Sequence, residues 1–475
     1  PGLAMLDKVA ADATLTGRAP GFELDVDETF GVEPRLLPGS GDLEARVVLE
    51  RGLLQPQSEL RARLPLAADM SSGPATRGDV LVAATVDQDI ALRVDLPPIP
   101  DLVQRADALL SLTGTQLPLP PWDAQLHRID GEVNLDSRFS SLAFVQPLLA
   151  RLSGVTLEGR GSVDARVMLA QGQIAEGTDL RVREAHFDLT AYDHRFQGAA
   201  HAQARFERGA DGSPQARAQV VLERFDLAAA DAPEAPLGSG RDLTLDRTAN
   251  GDLAQIRDRL DARLQFKDAR LPDLTRFNRY LPSHGVGINA GSGTLGADMR
   301  MRVQDDSSSG RIALAARGAS LRVGELLVRS DVAIDAHLEA GTLGDLRFRL
   351  PGTRVALRRA SVLEPAGERI EDWWATATIT RGRVSLQRPL DIRADADVTM
   401  RDVSFLFSLF SQEKRFPRWI RRLVDAGQAN VTGQVQFGGD HVIADHILAS
   451  NDRFEVAARM RLSGAPPQGH LYARW

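Results

Sequence analysis

The chain is 475 residues long, 43% hydrophobic and 25% charged, so it can bury a core and is not disordered by composition; its length corresponds to about three domains. A net charge of −7 argues against a nucleic-acid binder that works through a globally basic surface. With no cysteine, disulfides, thiolate metal sites, iron–sulfur clusters and cysteine nucleophiles are excluded, and 5% aromatic residues suit an aromatic-packed enzyme poorly.

The chain opens at Pro1-Gly2-Leu3 and reads as a piece of a longer protein, any leader or anchor preceding Pro1. Residues 1–40 are expected to be lead-in strands. From there the dominant signal is two-residue alternation, over 43–49, 79–96, 130–139, 157–169, 179–206 and 215–227. In 261–267, Ala262, Leu264 and Phe266 alternate with Asp261, Arg263, Gln265 and Lys267. In 331–339, Val332, Ile334, Ala336 and Leu338 alternate with a mostly charged set. The pattern recurs at 311–323, 345–358, 374–387 and 428–437, and is longest from Leu390 through Ile392, Ala394, Ala396 and Val398 to Met400. Successive strand side chains point to opposite faces, so each stretch is a strand with one dry and one wet face.

Short helices are expected to open at Pro100-Asp101-Leu102 and Pro272-Asp273-Leu274, and to cover 141–152 and 403–424. Turn chemistry stands at 209–212, 305–310 and 437–440. The Ala-, Pro-, Asp- and Gly-rich loop at 229–241 is the expected mobile excursion. Small-residue strand starts at Gly159, Gly291 and Gly427 suggest a unit of several strands plus a helix, repeated at about 130 residues. The expected segments are 1–40, 41–140, 141–272, 273–402 and 403–475.

A one-faced strand must hide its apolar side. Packed sheets or a closed barrel would do so, and so would a curled sheet whose apolar face is covered by acyl chains. The strings GVTLEGRGSVDARVML (154–169), LDIRADADVTMRDV (390–403) and GQANVTGQVQF (427–437) resemble the periplasmic AsmA-like proteins, which include the TamB, YhdP and YdbH types. The resemblance covers most of 40–475 and lies in alternation, short interrupting helices, small-residue strands and absent cysteine. It implies a mainly β fold, a long, curled, mostly antiparallel sheet forming a repeating β-groove with short interrupting helices. It also implies a non-enzymatic carrier or conduit of phospholipid or another acyl-chain ligand. Such a protein is expected in the periplasm, held at the inner membrane by a segment outside this chain, with the membrane surface and envelope proteins as partners. A module of the same fold that assembles envelope proteins is the alternative, and a β-sandwich enzyme or adhesin the third.

The expected groove lining is Leu264, Phe266, Val332, Ile334, Leu338, Leu390, Ile392, Val398 and Met400. No catalytic, cofactor or metal site is assigned. Gly291-Ser292-Gly293-Thr294-Leu295-Gly296 spells a dinucleotide fingerprint, but a helix precedes it and a strand follows, the wrong order for phosphate binding; its glycines are expected to relieve crowding between strand and helix. His441 and His446, with Asp445, and Tyr192-Asp193-His194 lack the further ligand or nucleophile that chemistry would need. The segment 405–424 joins Phe405, Phe407 and Phe410 to a basic, aromatic run. There Arg415, Arg418, Trp419, Arg421 and Arg422 are read as an anionic-lipid contact, or as the solvated side of a cap over the groove. Trp373 and Trp374 are expected on opposite sides of one strand.

Overall fold

A computed structural model describes residues 10–19, 32–36, 41–70, 76–96, 103–116, 127–139, 156–191, 193–209, 214–250, 261–302, 307–342, 346–365, 367, 369–386, 390–410, 427–463 and 468–474. Among these the chain is almost entirely strand; apart from two 3₁₀ residues at 127–128, the helices are a 3₁₀ helix (Leu274–Tyr280) and an α-helix, α1 (Ser404–Phe410). The expected mainly β, mostly antiparallel fold with short helices is the one found. Two compact units are present: 1–223 with 246–260, and 224–245 with 261–475.

The first unit begins with β1 (Ala11–Ala19), β2 (Val32–Leu36), β3 (Gly41–Glu50), β4 (Leu53–Leu54), β5 (Glu59–Met70) and β6 (Thr76–Val86). It continues with β7 (Ile90–Leu96), β8 (Val103–Leu112), β9 (Ile129–Phe139), β10 (Thr156–Ala170), β11 (Gln173–Ile174), β12 (Asp179–Ala191) and β13 (His194–Arg208). β14 (Pro214–Ala229) and β15 (Gly238–Asn250) contribute residues to both units. The second unit runs through β16 (Asp261–Leu271), β17 (Val286–Arg302), β18 (Ser307–Val323), β19 (Leu326–Thr342), β20 (Arg347–Arg349) and β21 (Arg354–Leu363). It ends with β22 (Arg369–Ser385), β23 (Asp391–Met400), β24 (Ala429–Gly438), β25 (His441–Ser450), β26 (Glu455–Leu462) and β27 (Gln468–Arg474).

Both units are antiparallel meanders. In the first, β1 pairs with β3, and the ladder proceeds β3, β5, β6, β7, β8, β9, β10, β12, β13, with β2 beside the far end of β5. In the second it proceeds from β16 through β19 to β21 and on to β27, with β20 between β19 and β22. Chain neighbours pair because tight turns join them: β24 and β25 meet at Gly438 and His441 around a two-residue loop whose Gly439 has φ 61°.

The strands are not regular throughout. Register breaks fall at Glu184, Asp268, Gly318, Arg359 and His446, each with positive φ. Each is a bulge: one extra residue bends the strand and shifts which parity faces inward. In β18, Ile312, Leu314 and Ala316 point inward before the bulge, and Ala319, Leu321 and Val323 after it. Two bulges converge on Asp331, whose carboxylate accepts from the Gly318 amide at 2.8 Å and from Arg359 Nε at 2.9 Å.

Three local expectations change. The segment opening at Pro100 is not helical over its described part: 103–112 is strand β8, because Ala106, Ala108, Leu110 and Leu112 keep the two-residue period. Ser307–Gly310 belongs to β18, paired with β17, so its serines extend the strand instead of turning it. The 229–241 loop is seated rather than free. Ala229 and Leu237 are buried, and the 3₁₀ helix grips it through Arg276 to the Pro236 carbonyl and Arg279 to the Asp231 carboxylate. The helices expected at 141–152 and beyond Phe410 lie outside the described residues.

The 3₁₀ helix starts where Asp273 signals it: the Asp273 carboxylate accepts from the Thr275 amide at 2.9 Å. Gly159 lies in β10, Gly291 in β17, and Gly427 just before β24, so among the described residues the repeat marks recur every seven strands.

Candidate functional site

Register turns the alternation into rows. Across the first unit Leu43, Ala62, Val82, Val94, Ala108, Val133 and Val167 stand side by side on seven strands. A second row places Leu60, Ala84, Leu92 and Leu110 beside them. Every one of these side chains is only half-buried. At about 4.8 Å per strand the first row extends about 29 Å, roughly twice the depth of a single bilayer leaflet.

The opposite face is ionic. Arg46 meets Asp12 at 3.1 Å, Arg93 meets Asp95 at 2.7 Å, Arg166 meets Glu132 at 2.8 Å, and Arg63 pairs with Asp79. Asp107 is held below the usual carboxylate range by the hydrogen bonds from Arg105 and then Asn134. Exposed ion pairs of this kind add little stability. Their effect is to keep that face wet, which leaves the apolar side as the one needing cover.

The second unit carries a longer row: Ala269, Leu295, Leu314, Ile334, Val355, Ala377, Val398, Val431, Ala449, Val456 and Ala473. Here protein covers both ends. The 3₁₀ helix lays Leu274 and Phe277 over Leu271, Ala316 and Ala319. Helix α1 sets Leu406 and Leu409 over Val328, Val362, Ala429, Ala449 and Val456. Its sequence has no Gly, Pro or β-branched residue, and Asp402 caps it by accepting from the Ser404 amide at 3.0 Å. Trp373 anchors that cap: it is 2% exposed, its ring centroid lies 5.0 Å from that of Phe405, and its indole N–H donates to the Asp402 carbonyl at 3.2 Å. Trp374 is half-buried on the other side of the strand.

The strand residues expected to line a groove share these rows. Val332 and Met400 belong to one row with Ala316, Leu357, Ala375 and Ala429; Ile334 and Val398 stand in the central row; Leu264 and Leu338 are linked through Met299 and Gly310. Ile392 pairs with Val384, and Leu390 joins it in the cluster around Phe348. Their environments differ. Met400 and Leu338 are buried against other side chains of the protein, whereas Leu264, Val332, Ile334 and Val398 are half-buried. Phe266 packs edge-on against Phe225 at 5.7 Å and lines a cleft of about 900 Å³ with Arg241, Lys267 and Arg270. Arg415, Arg418, Trp419, Arg421 and Arg422 lie outside the described residues.

The glycine-rich string behaves as crowding predicts. Gly291 has φ 140°, and a Cβ there would lie 3.1 Å from Ala319 Cα and 3.2 Å from Leu274 Cδ1. A Cβ on Gly293 would sit 2.5 Å from the Ala315 carbonyl oxygen. These glycines let β17 pass under the 3₁₀ helix. His441 pairs with Asp440 at 2.8 Å, and His446 occupies a bulge beside Asp445. Among the described residues no group of three or more acidic or histidine side chains is placed to hold a metal ion.

One inward-facing residue was not expected. Arg247, in β15, shares the strand parity of Leu243 and Leu245 and buries its Nε. No protein-family model, curated protein or solved structure matches the chain.

Proposed function

We propose that this chain is a lipid-binding protein of the AsmA-like type, whose half-open apolar face holds acyl chains, and that it acts as a non-enzymatic carrier or conduit in the bacterial envelope. The observation that carries the reading is the seven-strand row from Leu43 to Val167, apolar at every position and half-buried at every position. A packed sandwich core would bring such residues to full burial. An acyl chain laid along the row leaves water at about 0.8 kcal/mol per methylene, with no polar group required from the protein. The ionic opposite face supports the same division of labour, keeping one side solvated while the other takes hydrocarbon.

Native mass spectrometry of the full chain after gentle purification tests this. Co-purifying phospholipid, or uptake of a diacyl lipid offered in solution, is the expected result. A chain that neither carries nor takes up lipid would favour the alternative role, an assembly module for envelope proteins built on the same fold.

A further inference from the structure

Among the described residues, the apolar side of the first unit contains a cation with no counterion, Arg247. In β15 the Asp246 carboxylate accepts from the Gln219 amide at 2.7 Å. Gln219 shares the wet side of β14 with Glu223, whose carboxylate meets His201 at 3.0 Å. Asp246 therefore faces the wet side, and Arg247, one residue on, faces the dry side with Ala218, Val220 and Leu222. Its Nε is buried and has no hydrogen-bond partner. Asp246, next to it in sequence, and Glu223 are both engaged on the opposite face. Burial holds the guanidinium below its ordinary value.

A guanidinium cannot shed its charge to escape such a site, because arginine stays protonated in proteins. A desolvated, unpaired cation is strongly unfavourable unless an anion joins it. Five N–H donors in a planar fork suit an oxyanion, and phosphate and carboxylate are matched bidentately. Whatever supplies that anion must also be compatible with the aliphatic side chains around it. An acidic amphiphile meets both conditions and free phosphate only one.

We propose that Arg247 is a headgroup site: it pairs with the phosphate of an anionic lipid whose acyl chains lie on the apolar side of the same unit. This inference rests on the reading of the apolar face given above and adds to it the charge of the cargo.

The test offers the full chain three probes under native mass spectrometry: dioleoyl phosphatidylglycerol, dioleoylglycerol with the same tails and no charge, and inorganic phosphate alone. The wild type is expected to retain the phosphatidylglycerol about tenfold better than the dioleoylglycerol, the scale of one or two charge-assisted hydrogen bonds. Arg247→Met is expected to erase that preference while dioleoylglycerol binding persists, and Arg247→Lys to keep part of it. The methionine variant should unfold at the same or a higher temperature, since removing an uncompensated charge does not weaken the fold. An unchanged preference in Arg247→Met overturns the headgroup site and leaves the lipid-binding reading standing. Failure of the wild type to bind either lipid overturns that reading itself. Arg247-dependent binding of inorganic phosphate, with no preference between the lipids, would make this a free-anion site and contradict the proposal.

Discussion

The two units solve the same problem differently. In each, strands alternate apolar and charged residues, and register collects the apolar ones into rows. In the second unit α1 and the 3₁₀ helix close the ends of the apolar face, and Val328, Val362, Ala449 and Val456 are at most 1% exposed. In the first unit Val82, Val94, Ala108 and Val133 occupy equivalent row positions and stay half-buried. One alternating pattern therefore supports two outcomes, a dry core under the helices of the second unit and, among the described residues of the first, a half-buried face with no helix seated on it.

Paired substitutions break this comparison most sharply. Val328→Asp places a carboxylate in the sealed part of the second unit, where no water reaches it, and is expected to cost several kcal/mol and to abolish cooperative unfolding. Val94→Asp places the same group on the half-open row. It is expected to shift stability by only about 1 kcal/mol while removing lipid uptake, both read from thermal denaturation and native mass spectrometry. Equal destabilisation by the two would make the first face a packed core.

Gly291→Ala sharpens the account of the 3₁₀ lid. The new methyl meets Ala319 and Leu274 within 3.3 Å, on a backbone at φ 140°, so a loss of about 1–2 kcal/mol is expected in chemical denaturation. A neutral result would mean that the lid moves aside freely.

The smallest effect concerns the bulges that bend the second unit. Asp331 is held below the usual carboxylate range by the Arg359 hydrogen bond first and the Gly318 amide second. A group whose folded pKa is depressed contributes its stability above the unfolded value, about 3.9, and loses it as pH falls through the folded value. Thermal unfolding from pH 6 downward should thus show a small decline below about pH 4 that is reduced in Asp331→Asn. Identical profiles would place the acid sensitivity elsewhere.

Much of this was legible in the sequence, and the gaps have physical causes. The strands were readable because a two-residue period survives in nearly every stretch, and the 3₁₀ helix because Pro272 and Asp273 sit at its start. The segment after Pro100 misled because the same Pro-Asp start signal there precedes Ala106, Ala108 and Leu110, whose alternation outweighs it. Bulges were hidden: Glu184, Arg359 and His446 carry no composition cue for positive φ, and only pairing reveals them. Which rows would be sealed was equally hidden, since Val328 and Val94 read alike until α1 is placed over one of them. Arg247 had a signal that went unused: in Leu243-Thr244-Leu245-Asp246-Arg247-Thr248 it takes the leucine phase of the alternation.

The most direct test of the central claim is to ask where an acyl chain touches. A diacyl phospholipid with a photoactivatable group in its tail, incubated with the full chain, irradiated and mapped by peptide mass spectrometry, should label the apolar-row positions Val82, Val94, Ala108 and Val133. Labelling confined to the wet side, at Arg63, Arg93 or Arg166, or no labelling at saturating lipid, would contradict the assignment of this face to hydrocarbon.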